Sequence, residues 1–125
     1  MLENARARAI QLEELLRTKL MGPNAPSKPY VTDIRGGGLF WGIEFELDDA
    51  AQAKLDNSNG NRFGGVVQEI AFNNGLVIIG MSGTVDGVKG EHAILAPPLN
   101  VTPKEIEKIV DLFVNSVEEA CKLLA

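Results

Sequence analysis

Few residues of this 125-residue chain have both the type and the setting for chemistry. Glu44 and Glu46 stand two apart, so on a strand they share a face. Paired carboxylates are the equipment of a glycosidase; the same spacing also describes two solvated or ion-paired strand residues. Arg35 carries a planar fork suited to bidentate pairing with a carboxylate. Its partner could be a substrate, a neighbouring domain, or Asp33 or Glu44, which would fix the turn after it. His92 is the only histidine. Acid–base work would need a nucleophile or carboxylate held beside it; otherwise it makes a structural hydrogen bond. Lys89 is the only base between Gly80 and Glu91, where it is either an anion contact or a solvated lysine. Gly36, Gly37, Gly38 and Gly42 suggest a phosphate loop, but Trp41 stands where the dinucleotide fingerprint needs its third glycine. The run also enters a strand instead of leaving one for a helix, so a turn and a bulge account for these glycines.

The elements that would position these residues follow from periodicity. Leu2, Ala5, Ala9, Leu12, Leu16 and Leu20 recur at helical steps over 1–21, and Gly22-Pro23 stops the helix. That helix starts without a cap residue, as expected of a segment cut from a longer chain. A connector over 24–28 leads to a strand over 30–34 and a glycine turn at 35–38. From Leu39 the period is two: Leu39, Trp41, Ile43, Phe45 and Leu47 face a core, and Phe40, Gly42, Glu44 and Glu46 face away. Residues 48–61 read as a polar surface loop. A short helix over 65–73 turns in Val66, Val67, Ile70 and Ala71, and Asn74-Gly75 closes it. A fully apolar strand at 76–79, a glycine-rich loop at 80–91 and a strand at 92–95 come next. Thr102 caps the last helix, with Pro103 at its first position and Glu105 completing a capping box. Its buried stripe is Ile106, Ile109, Val110, Phe113, Val117, Cys121 and Leu124, which makes Cys121 packing material. The expected fold is α+β: a small, mostly antiparallel sheet of three or four strands with helices on one face.

Bulk properties narrow the partners. A chain of this length forms one domain and buries roughly two-thirds of the surface it exposes unfolded. The net charge of −5 argues against nucleic acid and anionic membrane surfaces. No apolar run approaches the ~20 residues of a membrane helix, and the charged N-terminal ten residues lack a secretory core. The single cysteine excludes an internal disulfide and, with one histidine, leaves no metal cluster to expect. A reducing, cytoplasmic location fits.

Val31-Thr32-Asp33-Ile34-Arg35-Gly36 followed by Gly38-Leu39-Phe40-Trp41-Gly42-Ile43-Glu44 resembles a segment of the class III aminotransferases. Asn74-Gly75-Leu76, Gly83-Thr84-Val85-Asp86-Gly87, Gly90-Glu91-His92 and Ile94 through Thr102 resemble, in order, the later parts of that family's C-terminal small domain. The resemblance runs over residues 1–124. It implies a parent that transfers an amino group from an amine or amino acid to a 2-oxo acid or aldehyde, using pyridoxal phosphate, with active sites at a homodimer interface. The Schiff-base lysine and the aspartate at the pyridinium nitrogen belong to the family's large domain. No segment here resembles theirs, and of Lys19, Lys28, Lys54, Lys89, Lys104, Lys108 and Lys122 most lie on polar helix faces or in loops. No cofactor is therefore expected on this chain alone; its partners are the large domain and a small-molecule substrate. The resemblance implies that Phe40, Trp41, Gly80 and Met81, with Arg35 and Lys89, line the substrate cleft. Some relatives carry a substrate-binding arginine in the loop after the Gly75-Leu76 strand; residues 80–91 contain none. The alternative is a free-standing α+β module for small-molecule binding or oligomerisation, without catalysis.

Overall fold

The alternation that starts at Leu39 governs the architecture. In the computed structural model, which describes residues 2–58, 62–82, 91–97 and 101–124, Leu39, Trp41, Ile43 and Phe45 are all at most 7% exposed. Eight elements follow in order: α1 (Leu2–Met21), β1 (Val31–Gly37), β2 (Phe40–Phe45), α2 (Asp49–Ser58), α3 (Phe63–Asn73), β3 (Ile79–Ser82), β4 (Glu91–Leu95) and α4 (Pro103–Lys122). The four strands form one sheet in the order β1-β2-β4-β3, and every neighbouring pair is antiparallel. The α+β expectation and the single helical face are both borne out. Helix α1 packs on β1, α3 packs on β3 and β4, and α4 packs against both helices.

Register decides which residues share a face, because directly opposed residues point the same way. Ile34, Ile43, Ala93 and Gly80 form one row across the sheet. Its first three members are at most 1% exposed, so this row belongs to the core face. The next row, Asp33, Glu44 and His92, belongs to the opposite face, and Met81 of β3 pairs with His92 in the ladder. The core continues into the helices through Leu12, Leu16 and Leu20 of α1, Val66 and Val67 of α3, and Ile106, Val110, Phe113 and Val117 of α4. Phe45 meets Phe63 edge to face at 5.1 Å, tying β2 to α3. Arg17 of α1 donates from Nη2 to the Ile34 carbonyl at 2.9 Å, tying that helix to the edge strand.

The capping box at Thr102 forms as its sequence implies. The Thr102 hydroxyl accepts from the Glu105 N–H, and the Glu105 carboxylate accepts from the Thr102 N–H. The first of these elements to depart from expectation is the 48–61 segment, which contains a helix, α2. Asp48 caps it, accepting from the Ala51 N–H at 2.7 Å. Ala51 and Leu55, one turn apart, are 4% and 0% exposed. Leu55 is the only large apolar residue of this helix, and three alanines beside it give too faint a period to read. The apolar run at 76–79 is also corrected: β3 begins only at Ile79 and continues to Ser82. Leu76 instead donates its N–H to Ala71 and completes the end of α3. β1 in turn extends through the glycines to Gly37, so only Gly38 and Leu39 connect the hairpin. Gly38 has φ +57, which suits glycine at a tight hairpin turn.

Gly36 is required for a different reason. A Cβ there would stand 2.2 Å from the Phe40 carbonyl oxygen and 2.8 Å from Trp41 Cδ2. The first of these is backbone and cannot step aside. At Gly37 a Cβ meets nothing within 4 Å. Gly36→Ala should lower stability by about 2 kcal/mol or more, while Gly37→Ala should stay within about 0.5 kcal/mol of the parent. Urea unfolding of the two variants side by side checks this; equal midpoints would remove the steric argument. Thr102→Ala should cost about 1 kcal/mol, read from the same denaturation curves.

Candidate functional site

The β1–β2 hairpin and the neighbouring strands carry the residues singled out above. Arg35 lies on the outer sheet face, opposite Gly42. Its Nε meets Asp33 Oδ2 at 3.0 Å and its Nη2 meets Glu44 Oε2 at 2.6 Å. Both local partners available in sequence are therefore engaged at once. Glu44 is half-buried beneath this arginine, and Glu46 stands beyond the end of β2 with its N–H on the Tyr30 carbonyl. The two glutamates thus occupy different settings: one neutralised, one solvated. That is not the facing carboxylate pair a glycosidase needs.

Phe40 and Trp41 are adjacent and go opposite ways. Phe40 is 59% exposed on the outer face, while Trp41 is 5% exposed within the core. The Trp41 indole N–H donates to the Gly38 carbonyl at 2.7 Å, so it braces the hairpin turn. Gly80 and Met81 lie on β3, at the far edge of the sheet from Arg35. Three strand spacings separate them, roughly 14 Å. The sheet therefore gathers Arg35, Phe40, Glu44 and His92 on one open face, and leaves β3 at its margin. Lys89 lies outside the described residues, as do Gly83–Gly87 and Gly90.

Sequence reasoning missed two buried hydroxyls. Ser27 donates to the Leu20 carbonyl, closing the stretch after α1, and Ser116 donates to the Leu112 carbonyl while accepting from Asn74. Ser27 sits in a polar, proline-containing connector and Ser116 beside Asn115 on a helix, settings in which a serine is expected to be solvated. The thiol of Cys121 is pushed up to about 11, by burial first and by the nearby Glu118 charge second. The Glu105 carboxyl is held below its ordinary value by the Thr102 backbone and hydroxyl.

A pyridoxal cofactor needs a lysine in an enclosed, anion-binding setting. Among the described lysines, Lys28, Lys54, Lys104, Lys108 and Lys122 are exposed, and Lys19 is paired with Asp111. These residues do not build such a site. Among the described residues, no group of three or more His, Cys, Asp or Glu side chains could hold a metal ion. No described helix is long and apolar enough to cross a membrane.

No family model matches the chain. It aligns over 110 residues with an uncharacterized aminotransferase of Schizosaccharomyces pombe at 32% identity, covering 88% of this chain and 23% of that protein. An aminotransferase of Gibberella zeae is 34% identical over 124 residues, 98% of this chain and 22% of the relative. This chain is an aminotransferase relative. It spans under a quarter of the length of these two relatives. The aminotransferase-related fold also overlays a PLP-bound aminotransferase mutant from Vibrio fluvialis with a TM-score of 0.69, at 21% identity, over 98% of this chain and 24% of that one. At that identity the likeness speaks for the fold.

Arg35→Met should lower the stability of this aminotransferase-related chain by less than about 1 kcal/mol, because its ion pairs are largely exposed. Thermal unfolding tests it; a larger loss would mean that the ion pairs hold the hairpin. Cys121 should resist alkylation up to about pH 10 in the native state and react readily in urea. The unfolded thiol ionises near 9 and the folded one near 11, so stability should fall as pH rises through that window. Fast native labelling at pH 8 would contradict the burial of this thiol.

Proposed function

We propose that this chain is the C-terminal small domain of a class III, pyridoxal phosphate-dependent aminotransferase, and that it contributes one wall of the substrate cleft. The observation that carries the reading is the co-linear match of nearly the whole chain to aminotransferases of which it spans under a quarter. The cofactor supplies the electron sink for amino transfer from an amine or amino acid to a 2-oxo acid or aldehyde. It is held by the rest of the parent, a cytoplasmic homodimer. The lysine inventory supports that division, since no described lysine is enclosed.

The parts assigned to this chain are shaping and water exclusion. Phe40 offers an apolar surface at the sheet's outer face, held there by the buried Trp41 beside it. Arg35 offers cationic donors to a carboxylate, at the expense of its pairing with Asp33 and Glu44. Gly80 and Met81, on the edge strand β3, belong to the same wall in this reading, and Lys89 serves in it as an anion contact.

Grafting decides the matter. Residues 1–125 should replace the matching segment of the Gibberella zeae aminotransferase and give a hybrid that binds pyridoxal phosphate and transaminates. The isolated chain, mixed with the cofactor, an amine and a keto acid, should do neither. A folded, cofactor-loaded hybrid without activity would sink the cleft assignment. Turnover by the isolated chain would sink the division of labour.

A further inference from the structure

Gly42 has no reason inside this chain to be glycine. It sits in β2, an interior strand, opposite Arg35 on one side and Ile94 on the other. A glycine in that setting costs backbone entropy and packs nothing. The backbone does not demand it, since the described glycines with positive φ are Gly38 and Gly75. The surroundings do not demand it either. A Cβ at Gly42 meets only the Arg35 carbonyl oxygen, at 3.7 Å, which is ordinary contact. Gly36 is the reverse case, closed to any side chain by the Phe40 carbonyl and Trp41.

The missing side chain leaves a notch in the outer sheet face. Phe40 and Glu44, two residues to either side on β2, share that face with Ile94, directly opposite on β4. Phe40 is 59% exposed and Ile94 is partly exposed. Among the described residues, no side chain comes within 4 Å of a Cβ placed at Gly42. The Arg35 guanidinium is drawn aside to Asp33 and Glu44. What borders the bare Cα is therefore apolar on the side of Phe40 and Ile94, and a satisfied ion pair on the other. Strand glycines of this kind mark places where a ligand or another backbone comes close. On the reading of this chain as a wall of the substrate cleft, we propose that Gly42 determines which amino donors fit. Its bare Cα admits a bulky apolar arm of the donor, which packs against Phe40 and Ile94. The substrate class is then amines with a large apolar substituent.

The test uses the cofactor-loaded hybrid, with 3-phenylpropylamine and ethylamine as donors to one keto acid. The hybrid should prefer the phenyl donor. Gly42→Val should lower the ratio of the two kcat/KM values about tenfold or more, and Gly42→Ala should lower it less. The change should come from a higher KM for the phenyl donor, with ethylamine kinetics unaltered. The alanine variant keeps the test decisive if valine prevents folding. In the 125-residue chain itself, Gly42→Ala should leave the urea midpoint unchanged or raise it, because nothing inside the fold opposes the methyl. A folded, loaded hybrid that is inactive defeats the cleft assignment and takes this proposal with it. An active hybrid whose donor ratio ignores both substitutions defeats this proposal alone. So does an equal loss with both donors, which would put another part of the parent chain, and not the substrate, against Gly42. A lower urea midpoint for Gly42→Ala also defeats it, by giving the glycine an internal purpose.

Discussion

One face of a four-stranded sheet is sealed by helices and the other is not, and the rest of the molecule follows from that asymmetry. Ile34, Ile43, Phe45, Ala93 and Leu95 are nearly inaccessible on the face where α1 and α3 pack on the strands and α4 packs on both helices. Burial of these side chains, each worth roughly 1 to 3 kcal/mol, supplies the driving force. The period of a strand then leaves the intervening residues no choice but the open face. Arg35, Asp33, Glu44 and Phe40 are displayed there because their neighbours are buried.

The hairpin shows how tightly that asymmetry is held. Trp41 must sit inward, and its bulk passes so close to Gly36 that no side chain fits there. Its indole N–H needs a partner once buried, and the Gly38 carbonyl provides it. Phe40 is thereby fixed outward. An exposed aromatic beside a locked one is a rigid apolar surface, which suits a wall against which another part of a protein, or its substrate, can close.

On the open face the described charges answer one another. Arg35 is already neutralised by two carboxylates, and Glu44 is answered by the same arginine. The described lysines are solvated or paired, and the one thiol is buried and held in its neutral form. Such a surface can orient and exclude water. Covalent amino transfer needs groups of another kind, and that agrees with a chain that spans under a quarter of its aminotransferase relatives.

Much of this was legible in the residues. The period of two from Leu39, the helical stripe of α4 and its capping box each repeat a local rule several times over, so α+β and most of the buried set could be read directly, while Leu47, Ile70 and Ile109, expected inside, are only partly buried. The motif order around Arg35–Glu44 identified the aminotransferase relationship. Other features depended on partners distant in sequence. Whether 48–61 is loop or helix turned on Ala51 and Leu55 finding the core. Where β3 begins turned on its register with β4. Which of Asp33 and Glu44 pairs with Arg35 was settled by the β1–β2 ladder, which places both within its reach. Whether a side chain would fit at Gly42 turned on the strands that flank it, β1 and β4. Local propensity and period are written in neighbouring residues; register, burial of isolated apolar side chains and the open space around a glycine are properties of distant segments brought together.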